Sequence, residues 1–329
     1  MYINQYPWLK KIYIEIIKNY KKNQLHNIIL IKSYNIHNTF TIIMEISKWI
    51  FCTNKIGIRS CGKCTGCLLI VSKNHPDFYI LYQKKNTFIE VDIIKNTIKK
   101  ILNTSQQYGS KIIWIPSYKK LTIYGINTLL KIIEEPPKDT FFFIGSSINH
   151  NIHKTFSSRC LKYKIYPPRE NIGLAWIIKN TNIKKKKKSL IILRNNNNNP
   201  ELSKKLIENN IFSLRKYVLY NIRCAIIKNN YFILLPILSK KNIYIKINWI
   251  ILLLLDVLKF KKNFFTFLIN IDQLQLIQEI SKKYTYNFIQ IILKSWIKCQ
   301  NKLIHIQYIN QELLILQELL KWEYNKHSK

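Results

Sequence analysis

The chain has 329 residues, of which 47% are apolar, so it is long enough for two or three domains with hydrophobic cores of their own. It carries 53 basic and 17 acidic residues, which gives a formal net charge of +36 at pH 7. The longest strongly apolar run, Trp249 to Leu255, is far shorter than the roughly 20 residues of a membrane span, and Lys10 and Lys11 interrupt the N-terminus where a secretory segment would be apolar. We therefore expect a cytoplasmic protein in a reducing compartment.

The high positive charge does not identify a function by itself. A basic surface is typical of proteins that bind nucleic acid. The chain is also rich in Ile, Lys, Asn, Tyr and Phe, the residues that AT-rich codons specify, so nucleotide bias in a genome would raise its lysine content everywhere. Both interpretations stay open on the sequence alone.

The first half of the chain predicts helices that alternate with short strands. Apolar residues at helical spacing predict helices over residues 1–25, 39–51, 92–102 and 121–134. Compact apolar runs predict strands over residues 27–31, 78–81, 111–115 and 140–145, and residues 161–165 are predicted as a fifth strand. This alternation is typical of a mostly parallel sheet covered by helices on both faces.

Four of the seven cysteines lie close together in the pattern C-x8-C-x2-C-x2-C: Cys52, Cys61, Cys64 and Cys67. In a reducing compartment such a cluster favours a metal over disulfides. Four thiolates suit a tetrahedral Zn²⁺ with no open coordination position, which is a structural site. Gly57, Gly62 and Gly66 supply the backbone freedom that a metal-binding turn needs. A reduced cluster without metal and an iron–sulfur site are the alternatives.

The turn after the first strand lacks the features of a phosphate-binding loop. Such a loop needs glycines whose N–H groups wrap the phosphate, followed by Lys and Ser or Thr. The equivalent segment here is a degenerate version without glycine, and the residues that remain of it are Lys32, Ser33, Asn38 and Thr39. The sequence therefore predicts no nucleotide site at this turn.

Two further observations weigh against nucleotide binding. The segment Gly57-x4-Gly62-Lys63-Cys64 resembles the phosphate-loop pattern, but cysteine replaces the Mg²⁺-binding hydroxyl and no strand precedes it. The third strand runs into Pro116 and Ser117, which cannot replace the acidic residues that hold Mg²⁺ in ATPases of this layout.

Pro167 and Pro168 predict a domain boundary, and no strand alternation follows them. The lysine run 184–188 is interpreted as a solvated helix face or loop, and the asparagine run 195–199 as a turn. Apolar-rich segments then predict long helices, namely 212–227, 249–260, 274–283, 288–296 and 307–324.

Six short motifs stand out along the chain. They are Tyr6–Leu9 (YPWL), the cysteine cluster, His75–Asp77 (HPD), Asn127–Pro137 (NTLLKIIEEPP), Ser158–Cys160 (SRC) and Asn310–Leu314 (NQELL). Each is weak alone, but together and in this order they resemble the motifs of bacterial clamp-loader subunits. By this resemblance the chain is identified as a member of the AAA+ clamp-loader family of DNA polymerase III.

The resemblance implies an α/β AAA+ (RecA-like) core over residues 1–166 with an inserted zinc module at about 52–67, a small helical lid over 167–209 and an all-α collar over 210–329. It implies a hetero-oligomeric ring with tau/gamma and delta subunits that loads the sliding clamp onto primed DNA. The motifs fit a member that does not hydrolyse ATP itself. We therefore expect no intrinsic activity and no bound ATP, only a role within the polymerase III holoenzyme.

The resemblance also implies one chemical role, for Arg159. The arginine of the Ser158-Arg159-Cys160 motif enters the ATP site of the neighbouring tau/gamma subunit as an arginine finger. A guanidinium is always charged and forms a rigid fork, so it can stabilise charge on a transferring phosphoryl group. Ser158 and Cys160 are predicted to orient Arg159 and to pack beneath it. An ordinary surface ion pair is the alternative for this arginine.

Two other functions remain as alternatives. An active clamp-loader ATPase is disfavoured by the degenerate loop and by Asn198–Leu202, which lacks the arginine that ATPase members carry at the start of a lid helix. A zinc-dependent nucleic-acid-binding module is suggested by the charge and the cysteine cluster, and it predicts stable DNA binding by the isolated chain at physiological salt.

Overall fold

The computed structural model describes residues 5–83, 88–106, 109–183, 185–240, 242–306 and 310–324. The chain divides into two compact units, Met1–Pro167 and Pro168–Lys329. The division falls between two consecutive prolines, where the backbone is biased away from helix. No helix in these described ranges combines the length and the apolarity needed to cross a membrane.

The N-terminal unit contains the predicted parallel sheet. Its strands are β1 (Ile28–Ser33), β2 (Phe78–Ile80), β3 (Lys111–Ile115), β4 (Thr140–Ser147) and β5 (Leu161–Ile165). They lie in the order β2-β3-β4-β1-β5, and all pairings between them are parallel. Parallel neighbours cannot be joined by tight turns. The chain therefore crosses over a face of the sheet between successive strands, and helices form these crossovers.

Helices cover both faces of this sheet. They are α1 (Lys10–Lys21), α2 (Ile36–Ile50), α3 (Thr65–Ser72), α4 (Val91–Leu102), α5 (Ile123–Glu134) and α6 (Lys154–Ser158). Successive strand residues point to opposite faces, so Ile29 and Ile31 join one hydrophobic core while Ile28 and Leu30 join the other. This double burial explains why β1, β3 and β4 contain continuous apolar runs.

Two predicted helix starts in this unit are corrected, and one helix was missed. A 3₁₀ turn (Pro7–Leu9) precedes α1, so the first helix begins later than predicted, and residues 1–4 lie outside the described residues. Helix α2 begins at Ile36 and not at Thr39, because the Asn35 side chain caps it by accepting a hydrogen bond from the His37 amide (3.1 Å). Helix α3 was not predicted.

The described part of the C-terminal unit is all-helical, as predicted. Its helices are α7 (Glu170–Asn180), α8 (Lys186–Asn195), α9 (Pro200–Glu208), α10 (Ile211–Lys228), α11 (Leu235–Leu238), α12 (Ile243–Lys261), α13 (Leu274–Lys283), α14 (Tyr286–His305) and α15 (Gln311–Tyr324). The main core surrounds α12 and includes Ile250, Trp296 and Trp322. The division of this unit into a lid (167–209) and a collar (210–329) stays a prediction.

The two low-complexity runs have the local structures that the sequence suggested. Lys185 to Lys188 are exposed at the start of α8, while residue 184 lies outside the described part. Asn197 and Asn198 form the turn after α8 with positive φ angles (52° and 56°), which asparagine tolerates well. Asn199 then caps α9 by accepting a hydrogen bond from the Leu202 amide (3.2 Å).

Candidate metal centre and exposed arginine

The four cysteines predicted as metal ligands converge where α2 ends and α3 begins. The Sγ atom of Cys52 lies 3.6 Å from that of Cys61 and 3.8 Å from that of Cys64, and the Sγ atoms of Cys61 and Cys67 are 4.0 Å apart. All four sulfur atoms lie within 4.8 Å of one another. A tetrahedral zinc with Zn–S bonds of about 2.3 Å requires sulfur–sulfur distances of about 3.8 Å. The cluster therefore fits a closed four-sulfur metal site.

Backbone amides stabilise negative charge on one side of the cluster. The amides of Lys63 and Cys64 donate to Cys61 Sγ (3.4 and 3.3 Å). These hydrogen bonds lower the pKa of the Cys61 thiol, and the one from Lys63 has the largest effect. Burial raises the pKa of Cys52 and of Cys67. Four adjacent thiolates without a cation would repel one another, so this donor set suits a bound soft cation.

The cysteine loop is fixed to the core of the N-terminal unit. Gly57 and Gly62 adopt positive φ angles (59° and 74°), which glycine accepts without steric cost. The Tyr13 hydroxyl donates to the Ile58 carbonyl (2.8 Å), and Trp49 Nε1 donates to the Gly57 carbonyl (3.2 Å). These hydrogen bonds fix the loop to α1 and α2. A metal bound by the cysteines would therefore stabilise a loop that is already ordered on the N-terminal unit.

The His75-Pro76-Asp77 motif lies beneath this loop. The His75 ring is buried and stacks on the Phe51 ring with a centroid distance of 3.9 Å. Asp77 is fully buried, and its Oδ1 accepts a hydrogen bond from the Gln106 amide (3.0 Å). The motif therefore packs the core next to the cysteine cluster.

The connection between β1 and α2 is too short to wrap a phosphate. Strand β1 ends at Ser33 and α2 begins at Ile36, so Tyr34 and Asn35 alone join them. A phosphate-binding loop places five residues between its first glycine and its lysine in the pattern G-x4-G-K. The structure offers no equivalent loop at this position.

Each of the four residues of the degenerate loop makes a hydrogen bond within the chain. Lys32 Nζ donates to the His150 carbonyl (3.3 Å), and Ser33 Oγ donates to the Asn35 carbonyl (2.8 Å). Two further hydrogen bonds complete the set, from Thr39 Oγ1 to the Ile36 carbonyl (2.5 Å) and from Trp8 Nε1 to Asn38 Oδ1 (3.3 Å). Trp8, from the Tyr6–Leu9 motif, thus lies against the first turn of α2.

Arg159 lies at the junction between α6 and β5 with its guanidinium accessible. Nη1 donates to the Thr155 carbonyl (2.8 Å), and Nη2 lies 2.8 Å from Oε1 of Glu134 at the end of α5. The side chains of Arg159 and Glu134 are 40% and 51% exposed. An exposed pair of this kind contributes at most about 1 kcal/mol, because solvent screens it. These contacts orient the guanidinium, but they are weak enough for it to exchange them for another partner.

The neighbours of Arg159 in the motif differ in their surroundings. Cys160 is buried, its Sγ donates to the Phe156 carbonyl (3.1 Å), and burial raises the pKa of its thiol to about 12. Ser158 is exposed and donates to the Thr155 carbonyl (3.0 Å), the group that Arg159 also contacts. Cys160 therefore anchors the segment as an inert thiol. The partnership of Arg159 with Glu134 was not predicted, although both residues lie in motifs that the sequence singled out.

Comparisons with known proteins agree along nearly the whole chain. Family models described as DNA polymerase III, delta subunit, and DNA polymerase III, delta subunit, C terminal, match residues 8–169 and 209–324. DNA polymerase III subunit delta' of Buchnera aphidicola subsp. Acyrthosiphon pisum (strain APS) is 39% identical over 318 residues, which is 97% of each chain. The subunit of the same name from Escherichia coli (strain K12) is 27% identical over 321 residues, covering 97% of this chain and 95% of that one.

A solved structure of a DNA polymerase III gamma subunit-related protein from Thermotoga maritima aligns over 97% of this chain and 99% of its own, at 14% identity and a TM-score of 0.46. The two family models cover most of the chain, and the 39% identity extends over 97% of a curated relative. The chain belongs to the delta' family of DNA polymerase III clamp-loader subunits.

Proposed function

We propose that this chain is a non-hydrolysing delta' subunit in a cytoplasmic clamp loader and that Arg159 acts in trans at the ATP site of a neighbouring tau/gamma subunit. Its partners are tau/gamma and delta subunits, and the ring loads the sliding clamp onto primed DNA. Family membership supports the place in the ring. The observation that carries the chemical role is the accessible guanidinium of Arg159, oriented at the end of α6.

The physical basis of the role is electrostatic. During phosphoryl transfer, charge develops on the oxygens of the γ-phosphate, and a guanidinium from a partner can stabilise that charge without taking part in covalent chemistry. Arg159 needs only to exchange an exposed carboxylate, Glu134, for a phosphate of higher charge. Its backbone position is fixed by the buried Cys160, so the side chain alone has to move.

The non-hydrolysing part of the proposal is supported by the connection between β1 and α2. Two residues join these elements, and the remaining loop side chains are engaged with the chain itself. Calorimetric titration of the purified full-length chain with Mg·ATP should give no measurable heat of binding. Tight ATP binding would instead favour the alternative, an active clamp-loader ATPase.

The arginine role is tested by reconstituting the ring with tau/gamma and delta subunits. Arg159→Ala should assemble normally but lose hydrolysis at the one site it serves, by about 10³-fold if it acts as arginine fingers generally do. Arg159→Lys should rescue little, because an ammonium does not reproduce the planar fork. The matched control is Arg169→Ala, which removes another exposed arginine. Unchanged DNA-stimulated hydrolysis in the Arg159→Ala ring would contradict the assignment.

We further propose that the four-cysteine cluster holds a structural Zn²⁺. Cys52, Cys61, Cys64 and Cys67 would fill its coordination shell, which leaves no position for a substrate. The distances between the four sulfur atoms support this assignment. The metal would stabilise the loop on α2 and take no part in ATP hydrolysis.

A further inference from the structure

The segment between α12 and α13 presents an unusual aromatic surface. Phe264, Phe265 and Phe267 are 56%, 52% and 70% exposed, and they lie within four consecutive positions. Among the described residues, only Phe88 and Phe232 are other exposed phenylalanines. Exposing a large apolar side chain forgoes the free energy of burial, so a cluster of exposed rings indicates a surface that meets a partner. Residues 262–268 are called the phenylalanine loop below.

The backbone of the phenylalanine loop is held from beneath. The Phe264 amide donates to the Lys259 carbonyl (2.9 Å), and Lys259 Nζ donates to the Phe267 carbonyl (2.9 Å). At the end of the loop, Leu268 is buried and its carbonyl accepts a hydrogen bond from Arg194 Nη1 (2.6 Å). The exposed rings therefore project from an ordered support, which lowers the entropy cost of binding.

The loop is also positively charged, because its acidic neighbours in sequence are already engaged. Asp256 is fully buried and accepts hydrogen bonds from the amides of Ile269 and Asn270 (3.0 and 2.7 Å). Asp272 accepts two hydrogen bonds from Arg215 (2.8 and 2.9 Å). Asp256 also pairs with Lys259 (3.3 Å), so neither carboxylate is left to neutralise the other lysines at the end of α12.

Those lysines are Lys261 and Lys262. Lys262 Nζ lies 4.9 Å from the centroid of the Tyr286 ring, which adds a half-buried aromatic face beside the loop. Aromatic faces next to uncompensated lysines match the chemistry of a single strand, whose bases stack and whose phosphates are negative. An apolar protein surface would use the rings but would gain nothing from the lysines.

We infer that the phenylalanine loop is a contact site for single-stranded nucleic acid, with bases stacked on Phe264 and Phe267 and phosphates near Lys261 and Lys262. Recognition of this kind is tolerant of base sequence, because every base has a π face. The inference does not depend on the role of Arg159, so the two stand or fall separately.

Fluorescence anisotropy of the full-length chain with a labelled oligothymidine of about 20 nucleotides, at about 50 mM salt, tests the inference. The double variant Phe264→Ala, Phe267→Ala should weaken binding about tenfold or more. Phe264→Leu, Phe267→Leu should lose a similar factor, since leucine keeps the apolar character but has no π face. Phe232→Ala, which removes an exposed phenylalanine elsewhere in the same unit, should bind as the parent chain does.

The lysines are tested by the salt dependence of the same binding. In the double variant Lys261→Gln, Lys262→Gln, the slope of log affinity against log salt concentration should be less steep by about 1.4. This is about 0.7 for each lost phosphate contact to a single strand. Circular dichroism should show that all variants stay folded, because the substituted side chains are at the surface. Parental affinity in the alanine variant would overturn the inference. Parental affinity in the leucine variant would also overturn it, and would assign the loop to an apolar protein contact.

Discussion

Arg159 and Glu134 form an ion pair in which Nη2 of the arginine lies 2.8 Å from Oε1 of the glutamate. The two residues belong to two different motifs, at the ends of α6 and α5. Because both side chains are about half exposed, the pair is weak and can open at little cost. We interpret it as a resting contact that orients the guanidinium until a phosphate replaces the carboxylate.

This interpretation predicts a mild effect for Glu134→Gln. The variant should change unfolding free energy by no more than about 1 kcal/mol. DNA-stimulated ATP hydrolysis by the reconstituted ring should stay equal to that of the parent or rise by a few-fold, because the arginine no longer has to leave a carboxylate. A loss as deep as that of Arg159→Ala would show instead that Glu134 positions the arginine for catalysis.

The metal prediction concerns the cysteine cluster. Purified protein should contain about one zinc per chain, as four thiolate ligands imply. Cys64→Ser should lose most of this zinc and lower the melting temperature of the chain, because a bound metal would add to the contacts that hold the loop from Gly57 to Gly62. Cys224→Ser, which changes a half-buried cysteine outside the cluster, should keep the full zinc content. Full zinc and stability in Cys64→Ser would refute the site.

Asp256 gives a prediction about stability. Its carboxylate is fully buried and accepts hydrogen bonds from two backbone amides and from Asn270 Nδ2 (2.8 Å). Asp256→Ala would leave these buried donors unsatisfied. We therefore expect the free energy of unfolding, measured with urea, to fall by about 3–5 kcal/mol. Glu279→Ala, which breaks an exposed pair with Arg223, should cost about 1 kcal/mol or less. Equal losses in the two variants would contradict the argument.

The fold was predictable where one physical signal dominated. Lys111–Ile115 (KIIWI) is apolar at nearly every position because β3 is buried on both faces, and this made the parallel sheet readable. Helix α3 was missed because it begins at Thr65, inside the cysteine cluster, where ligand spacing obscured its apolar run. The start of α2 was misplaced because a side-chain cap at Asn35, and not apolar periodicity, decides it.

The candidate sites divide in the same way. The four cysteines could be grouped from sequence because metal ligands close in sequence keep a readable spacing. The contact between Arg159 and Glu134 could not, since it depends on how α5 and α6 meet in space. The phenylalanine loop was not predicted either. Phenylalanine is usually a core residue, and only the structure shows that these side chains are exposed.

The last prediction concerns acid and the ion pair between Arg215, which is fully buried, and Asp272, whose side chain is 27% exposed. Burial by itself would raise the pKa of Asp272, but two hydrogen bonds from Arg215 and its charge outweigh burial and lower that pKa. A carboxylate with a lowered pKa in the folded state stabilises the protein above its unfolded pKa, and this contribution is lost as pH falls through the folded value. Asp272→Asn leaves the fully buried Arg215 without its anion but keeps an acceptor for it, so it should cost about 1.5–3 kcal/mol at pH 7. The difference from the parent in urea unfolding should shrink as pH falls below about 4, because the parent then loses the same charge. A difference that is independent of pH would show that packing, and not charge, makes Asp272 important.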